Sequence, residues 1–204
     1  MSPNLLQKYS VGNFHFPIRS GVDNILVNKE SILEVVQKVK EDEELLYEQL
    51  VDITATDNIL SKTAYTNERY TLIYTFLSLK FNKRLFVFTN ISEEDSNIDS
   101  ITQIFECADW YERECYDLFG IKFKNHPNLQ RLMNDYNFQG HPLRKDFPLT
   151  GFNDVRYSEK EKKIIYEPVK LEQNYRDFDF SSPWEGTKYL KDINKEMKKN
   201  DKKN

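Results

Sequence analysis

Residues 69–80 (RYTLIYTFLSLK) alternate in side-chain character over a dozen positions. An alternation of that length reads as a strand. Leu72, Tyr74 and Phe76 fall on one face, and Ile73, Thr75 and Leu77 on the other. Residues 84–91 (RLFVFTNI) follow after a turn at Asn82 and Lys83, so the two segments read as a hairpin. Upstream, residues 45–56 are apolar and β-branched, and residues 24–28 (NILVN) read as a short strand. A helix is expected from Ser31 to about Lys40, with Ile32, Val35, Val36 and Val39 at the inward spacing and the acidic cluster 41–44 ending it. After the polar break 92–97, residues 98–108 read as another helix, with Ile101, Ile104, Phe105 and Ala108 inward. The order β-α-β-β-β-α-α predicts an α+β fold: helices packed on one face of a mainly antiparallel sheet, followed by a long irregular C-terminal arm.

The stretch 109–120 (DWYERECYDLFG) organises the rest of the chain. Asp109 is placed to act as N-cap, and Glu112, three residues on, as the second half of a capping box. Gly120 supplies the left-handed residue that commonly closes a helix. The 3.6-residue period gathers Trp110, Arg113, Glu114, Asp117 and Leu118 near one face; Tyr111, Cys115, Phe119 and the flank of Tyr116 lie near another. Arg113 and Asp117 are spaced i,i+4 and are expected to pair along the helix. Three carboxylates and one arginine among large apolar groups exceed what a surface helix needs. The helix reads as half core and half contact surface.

At 204 residues and 39% hydrophobic content, the chain has enough for one core plus an extended arm. Its net charge of −4 argues against a general nucleic-acid binder, and 14% aromatic content argues that most of it folds. No apolar run approaches the roughly 18–20 residues needed to span a bilayer. The N-terminal residues MSPNLL show neither a signal-peptide apolar region nor an Arg-rich transit peptide. Cys107 and Cys115 are eight apart, which fits neither a metal knuckle nor a four-thiolate cluster, so both read as reduced, buried thiols. Lysine outnumbers arginine 21 to 8, alongside many Asn and Ile, which suggests an AT-rich genome. Five of the arginines (Arg113, Arg131, Arg144, Arg156 and Arg176) lie in the second half, where a rigid bidentate fork is the property lysine lacks.

From Ile121 the character changes. Residues 121–186 hold five of the seven Pro and eleven aromatics without sustained periodicity, although short strands such as residues 162–167 are compatible with it. Such a segment is too apolar for a flexible linker and too irregular for a core of its own. An arm that buries its aromatics against a partner resolves this, with some of that burial on its own domain as the plainer alternative. The expected division is an α+β domain over 1–120, a partner-wrapping arm over 121–187, and a Lys/Asn-rich tail over 188–204. That tail reads as solvated and disordered unless bound.

Residues 1–108 contain no His, Lys or Asp constellation that suggests catalysis. Glu112, Glu114 and Asp117 are the carboxylates available for acid–base work, but Glu112 and Glu114 diverge on a helix, so caps and ion pairs are the plainer reading. His15, His126 and His141 make no HExxH or HxH pattern, and a metal site is not expected. His126-Pro127 and His141-Pro142 form a repeated unit in which proline extends the chain at the imidazole. An arginine follows each, Arg131 and Arg144, and both segments are expected to grip carboxylates on a neighbour. No phosphate loop, Rossmann fingerprint, nucleophile elbow or catalytic cysteine signature is present, so the chain is not expected to be an enzyme by itself.

Residues 109–120, the following IKFKNHPNLQRLM, and residues 140–148 (GHPLRKDFP) together resemble the thirty-kilodalton subunit family of respiratory complex I, known in bacteria and, as subunit 9, in mitochondrial genomes. LVDITA at 50–55, EPV at 167–169, YRDFDF at 175–180 and SPWE at 182–185 fit the same family, so the resemblance spans roughly residues 20–186. It implies a structural subunit of the quinone-reducing module in the peripheral arm, scaffolding the large quinone-site subunit while NADH is oxidised and ubiquinone reduced elsewhere in the assembly. No catalytic residue and no cofactor is implied for this chain; flavin and iron–sulfur clusters belong to partner subunits. The family motif falls on Glu112, Arg113, Glu114, Asp117, His126, Pro127, Arg131, His141, Pro142, Arg144, Lys145 and Asp146, and with Phe147 and Trp184 these are expected to serve fold and partner interface. The implied location is the matrix side of the mitochondrial inner membrane, or the cytoplasmic side in a bacterium. Two other classes are a free-standing hydrolase using Glu112 or Glu114, and a nucleic-acid binder acting through the lysine tail. The absence of catalytic spacing disfavours the first, and the acidity of the body the second.

Overall fold

The computed structural model describes residues 22–59 and 68–171, with Ser10 and Gln173. Residues 1–21 apart from Ser10, Trp184, Arg176 and the tail 188–204 lie outside the described residues. Four strands form the main sheet: β1 (Asp23–Leu26), β2 (Gln49–Asp57), β3 (Tyr70–Ser78) and β4 (Lys83–Ile91), in the order β1-β4-β3-β2. β3 and β4 form the expected hairpin, registered from Tyr70↔Ile91 to Ser78↔Lys83, with Asn82 in the left-handed conformation at the turn. β2 is antiparallel to β3 with a bulge between Leu50 and Asp52, whereas β1 runs parallel to β4.

Register makes the buried face continuous. Ile25, Val87, Tyr74 and Ile53 form one row across all four strands; Leu85, Phe76 and Leu50 form the next. All seven are buried. After a short 3₁₀ turn (Lys29–Ser31), helix α1 (Ile32–Glu41) contributes Ile32, Val35, Val36 and Val39 to the same apolar cluster. Helix α2 (Ala108–Phe119) contributes Ala108, Cys115 and Phe119, and the Phe105 ring lies 5.5 Å from that of Phe76. The α+β expectation holds.

Residues 98–108 are not a helix. Strand β5 (Asn97–Asp99) pairs in parallel with β6 (Lys122–Lys124), which buries Ile98 against Phe123. Beyond it the Ser100 hydroxyl meets the Thr102 hydroxyl at 2.8 Å and accepts the Thr102 N–H, so local side-chain bonding competes with a helical start. Only short turns form before α2, with the Phe105 N–H on the Ile101 carbonyl and the Ala108 N–H on the Phe105 carbonyl. Ile101, Phe105 and Ala108 still point inward as expected.

The chain separates into two compact units, residues 1–154 and 155–204. β7 (Asn153–Ser158) and β8 (Lys163–Pro168) form a two-stranded ribbon, where the sequence suggested one short strand at 162–167. Arg156 grips Glu167 with two bonds, at 3.0 and 2.6 Å, on its exposed surface. Cys115 is buried, but Cys107 is exposed, against the expectation for it. Because the Phe76 ring sits in the middle of the buried row with no exposure, Phe76→Ala is expected to cost about 3–5 kcal/mol in denaturant unfolding. Phe147, half-buried in the irregular segment, should cost less than this and less than full burial would imply.

Candidate functional site

Helix α2 begins at Cys107 without a side-chain cap. Asp109 lies inside the first turn and the expected capping box does not form. Glu112 instead turns inward, fully buried, and its Oε1 accepts the Ile101 N–H at 2.8 Å. The helix ends as expected at Gly120, with φ +79° and its N–H on the Tyr116 carbonyl. A Cβ there would lie 2.2 Å from Arg144 Nη2 and 2.7 Å from the His141 ring, so glycine is required both by conformation and by close approach.

That approach exists because residues 126–152, here termed the strap, fold back over the helix end. An α-helix leaves its last four carbonyls without intrahelical donors. After Tyr116, the Asp117 carbonyl accepts His141 Nδ1–H at 2.9 Å and Arg131 Nη1–H at 3.3 Å. The Leu118 carbonyl accepts the Leu143 N–H at 3.1 Å, and the Phe119 carbonyl accepts Arg144 Nε–H at 2.6 Å. Two guanidinium groups thus sit at the negative end of the helix dipole, where cations are stabilising. Burial lowers the His141 pKa, opposed by its bond to the Asp117 carbonyl and reinforced by the Arg144 and Arg131 charges, which keeps the ring a neutral donor.

Asp117 is the other half of the anchor. Its Oδ2 accepts three successive backbone N–H groups, of Leu132, Met133 and Asn134, at 2.7–3.0 Å. Its Oδ1 accepts Arg131 Nη1–H at 2.6 Å and Asn134 Nδ2–H at 3.0 Å. Burial works to raise the pKa of this carboxyl, but the hydrogen bonds from Asn134, Arg131 and the Met133 N–H outweigh it and bring it to about 2. The expected Arg113–Asp117 pair is therefore replaced. Arg113 donates to the Gln130 and Arg131 carbonyls and lies 5.7 Å from the Trp110 ring. Arg131 grips a carboxylate of its own chain and Arg144 a helix carbonyl, whereas both were expected to grip a neighbour.

The far end of the strap is tied to the sheet. Asp57, at the end of β2, takes two bonds from Arg69 at 3.3 and 3.1 Å, and its Oδ2 accepts the Lys145 N–H at 2.9 Å. Arg69 also reaches Asp146 at 2.9 Å and Glu93. Burial tends to raise the Asp57 pKa, but the bonds from Arg69 and from the Lys145 and Ile59 N–H groups hold it below the usual carboxylate range. The Tyr70 ring lies between two guanidiniums, 5.1 Å from Arg69 and 5.5 Å from Arg144. In the interior of the strap Phe147 packs on Phe138 and Phe152 at 5.8 and 5.5 Å, and a Cβ on Gly140 would meet its ring at 2.8 Å.

The near end carries His126, whose side chain is fully buried. Its Nδ1 accepts the Asn128 N–H at 3.0 Å, and Nε2–H points to the Asp109 carbonyl at 3.2 Å. Glu112 Oε2 lies 3.9 Å from the same Nε2 and has no hydrogen-bond partner. Burial pushes the Glu112 pKa up to about 7, against the bonds from Ser100 and the Ile101 N–H and with the help of the Asp109 charge.

The structure brings Glu112, Arg113, Asp117, His126, Arg131, His141 and Arg144 onto one helix and its covering strap, with Pro127 and Pro142 setting the extended backbone at each histidine. Glu114 is half-buried beside Cys115, whose thiol donates to the Ile53 carbonyl. Lys145 enters through its backbone and Asp146 through Arg69. Arg69, Asp57 and Asn134 are not among the residues expected at the site. Arg69 carries the same signal as the later arginines, an Arg kept in a lysine-rich chain, but it stands in the first half.

A family model described as respiratory-chain NADH dehydrogenase, 30 Kd subunit, matches residues 25–153, from the first strand to the end of the strap. The chain belongs to this family. Among relatives of this 30 kDa subunit, the C subunit of the NADH-quinone oxidoreductase of Parvibaculum lavamentivorans is 43% identical over 181 residues, 89% of this chain and 86% of its own length. That of Rhodobacter capsulatus is 46% identical over 162 residues, covering 79% of this chain and 78% of its own. A chain of the membrane-bound sulfane sulfur reductase, an archaeal respiratory membrane complex, shares the fold at a TM-score of 0.57 and 22% identity, over 71% of this chain and 81% of that one. Among the described residues of the 30 kDa subunit, no helix is long and apolar enough to cross a membrane.

In this family member, Asp117→Ala strands Arg131 and three backbone N–H groups, so it is expected to cost about 3–5 kcal/mol in chemical denaturation at neutral pH. The carboxyl is depressed, so its contribution is present above the unfolded pKa near 3.8 and is lost as pH falls toward about 2. Glu112 has the opposite sign: its contribution is present below 4.5 and is lost as pH rises through about 7. Between about pH 4 and about pH 8, Glu112→Gln should therefore gain on the order of 3 kcal/mol of unfolding free energy relative to wild type. Parallel denaturation series at the two pH values check both signs.

Proposed function

We propose that this subunit of respiratory NADH–quinone oxidoreductase is a cofactor-free scaffold in the peripheral arm, and that its strap docks the large quinone-site subunit. Family membership carries the enzyme assignment. The docking role rests on one observation: large apolar side chains stand exposed along the strap. Arg131, His141 and Arg144 are turned inward to α2, and the Lys145 N–H and Asp146 reach Asp57 and Arg69. The strap's large apolar side chains Met133, Tyr136, Leu143 and Leu149 point outward, with Tyr136 76% and Leu149 87% exposed, and Trp110 and Phe152 are exposed as well. Large apolar groups exposed together on one segment mark an interaction surface.

The β7–β8 ribbon makes a second case for a partner. Val155, Tyr157, Ile164 and Tyr166 are all exposed on it, and a two-stranded ribbon is marginal in water unless covered. Glu112, the carboxyl that a hydrolase would need, is fully buried and bonded to the Ile101 N–H, so nothing favours the hydrolase reading. The proposed place of the complex is the mitochondrial inner membrane, with this chain on the matrix side. Lysine and asparagine enrichment supports a mitochondrially encoded chain.

The test replaces two exposed strap residues that serve no bond of the fold, Tyr136→Asp with Leu149→Asp, in the complete oxidoreductase. Native electrophoresis should show loss of the assembled complex and of NADH-dependent quinone reduction, while the isolated full-length variant keeps the wild-type unfolding midpoint. Normal assembly of that double variant would reject the docking surface. Flavin and iron–sulfur absorbance in the purified complex, with none in the isolated chain, is the expected spectroscopic result; a chromophore on the isolated chain would reject the cofactor-free reading.

A further inference from the structure

Around His126, one N–H faces three oxygens. The Asn128 N–H occupies Nδ1, so the neutral ring carries its proton on Nε2. That nitrogen lies 3.2 Å from the Asp109 carbonyl, 3.3 Å from Asp109 Oδ1 and 3.9 Å from Glu112 Oε2. The imidazole and the Glu112 carboxyl are both fully shielded from solvent, and Asp109 is partly exposed. Glu112 Oε1 is held by the Ile101 N–H, whereas Oε2 is buried and unpartnered. A buried carboxylate oxygen left in that condition is costly, and a protonated carboxyl there costs less.

We propose that Glu112 and His126 form a proton-responsive clasp, in which loss of the Glu112 proton moves the single Nε2–H of His126 from the Asp109 carbonyl to the Glu112 carboxylate. The proton leaves to solvent, and the Nε2–H of His126 changes acceptor. The shift needed is under an ångström, from 3.9 Å to ordinary hydrogen-bond distance. The groups around Glu112 hold it near the balance point. From α2, Asp109 supplies a like charge, and Cys115, itself influenced by Glu114 and Asp52, keeps its proton through burial. From β3, the Tyr74 hydroxyl is fully buried, lacks a partner and likewise keeps its proton, with Asp99 of β5 adding to the same field. From the turn after β5, Ser100 and the Ile101 N–H favour the charged form. The transition therefore falls near neutral pH.

The clasp has a reach beyond its two side chains. His126 opens the strap, seven residues before the exposed Met133. Re-seating its ring on Glu112 draws the start of the strap toward the body of α2 and away from the Asp109 carbonyl.

The experiment follows the imidazole nitrogens and the Glu112 side-chain carboxyl carbon by NMR in the full-length labelled chain, from about pH 5 to about pH 9. Expected is one transition near pH 7 shared by the Glu112 carbon and His126 Nε2. In Glu112→Gln the Nε2 transition should disappear, while His141 keeps its wild-type behaviour. Asp109→Asn, which leaves Glu112 in place and removes the like charge, should lower the shared midpoint and guards against a Gln variant that fails to fold. An Nε2 transition that persists unchanged in Glu112→Gln, protonation of Nδ1 with the same midpoint, or a Glu112 carbon that titrates with ordinary exposed carboxylates would each overturn the clasp.

Discussion

Four carbonyl oxygens at the end of α2 must find donors the helix does not own. One is closed by Gly120, and the other three are met by His141, Arg131, the Leu143 N–H and Arg144. A typical bond of this kind contributes about 1 kcal/mol net, but a buried acceptor left unmet costs about 1–3 kcal/mol. The helix end is therefore the reason a segment with no regular structure has one conformation. In return the strap gains a fixed backbone without a core of its own, which frees its apolar side chains to face outward.

Legibility followed periodicity. The hairpin of β3 and β4, the inward valines of α1 and the glycine that closes α2 could all be read because each is a local rule repeated at fixed spacing. Residues 98–108 misled for the same reason: Ile101, Phe105 and Ala108 do point inward, but Ile98 pairs with Phe123, a contact that no local pattern announces. The role of Asp117 was likewise hidden. An i,i+4 arginine is the obvious local partner, worth only a few tenths of a kcal/mol, and three backbone N–H groups from a distant loop outweigh it. The His-Pro and Arg pairs were visible as motifs, yet their targets lay within the chain, at the end of the preceding helix.

Glu112 and Asp117 stand five residues apart on one helix and are driven in opposite directions. Both are fully buried. Asp117 meets three N–H groups and a guanidinium, so its charge is better solvated by the protein than by water. Glu112 meets one N–H, that of Ile101, beside a second carboxylate, and favours its proton. Burial alone decides neither; the number of donors does.

The parallel pairing of β1 with β4 joins segments roughly 60 residues apart, a non-local closure that costs chain entropy before any contact offsets it. The bond from the Lys145 N–H to Asp57 spans 88 residues and is longer-range still. During synthesis β2 and β3 have both partners first, β1 waits for β4, and the strap closes only when nearly three-quarters of the chain exists. The outward-facing apolar surface is thus the last part of the first unit to take shape. Until that closure a nascent chain has no ordered strap, so Met133, Tyr136 and Leu143 take their outward positions over a body that already exists.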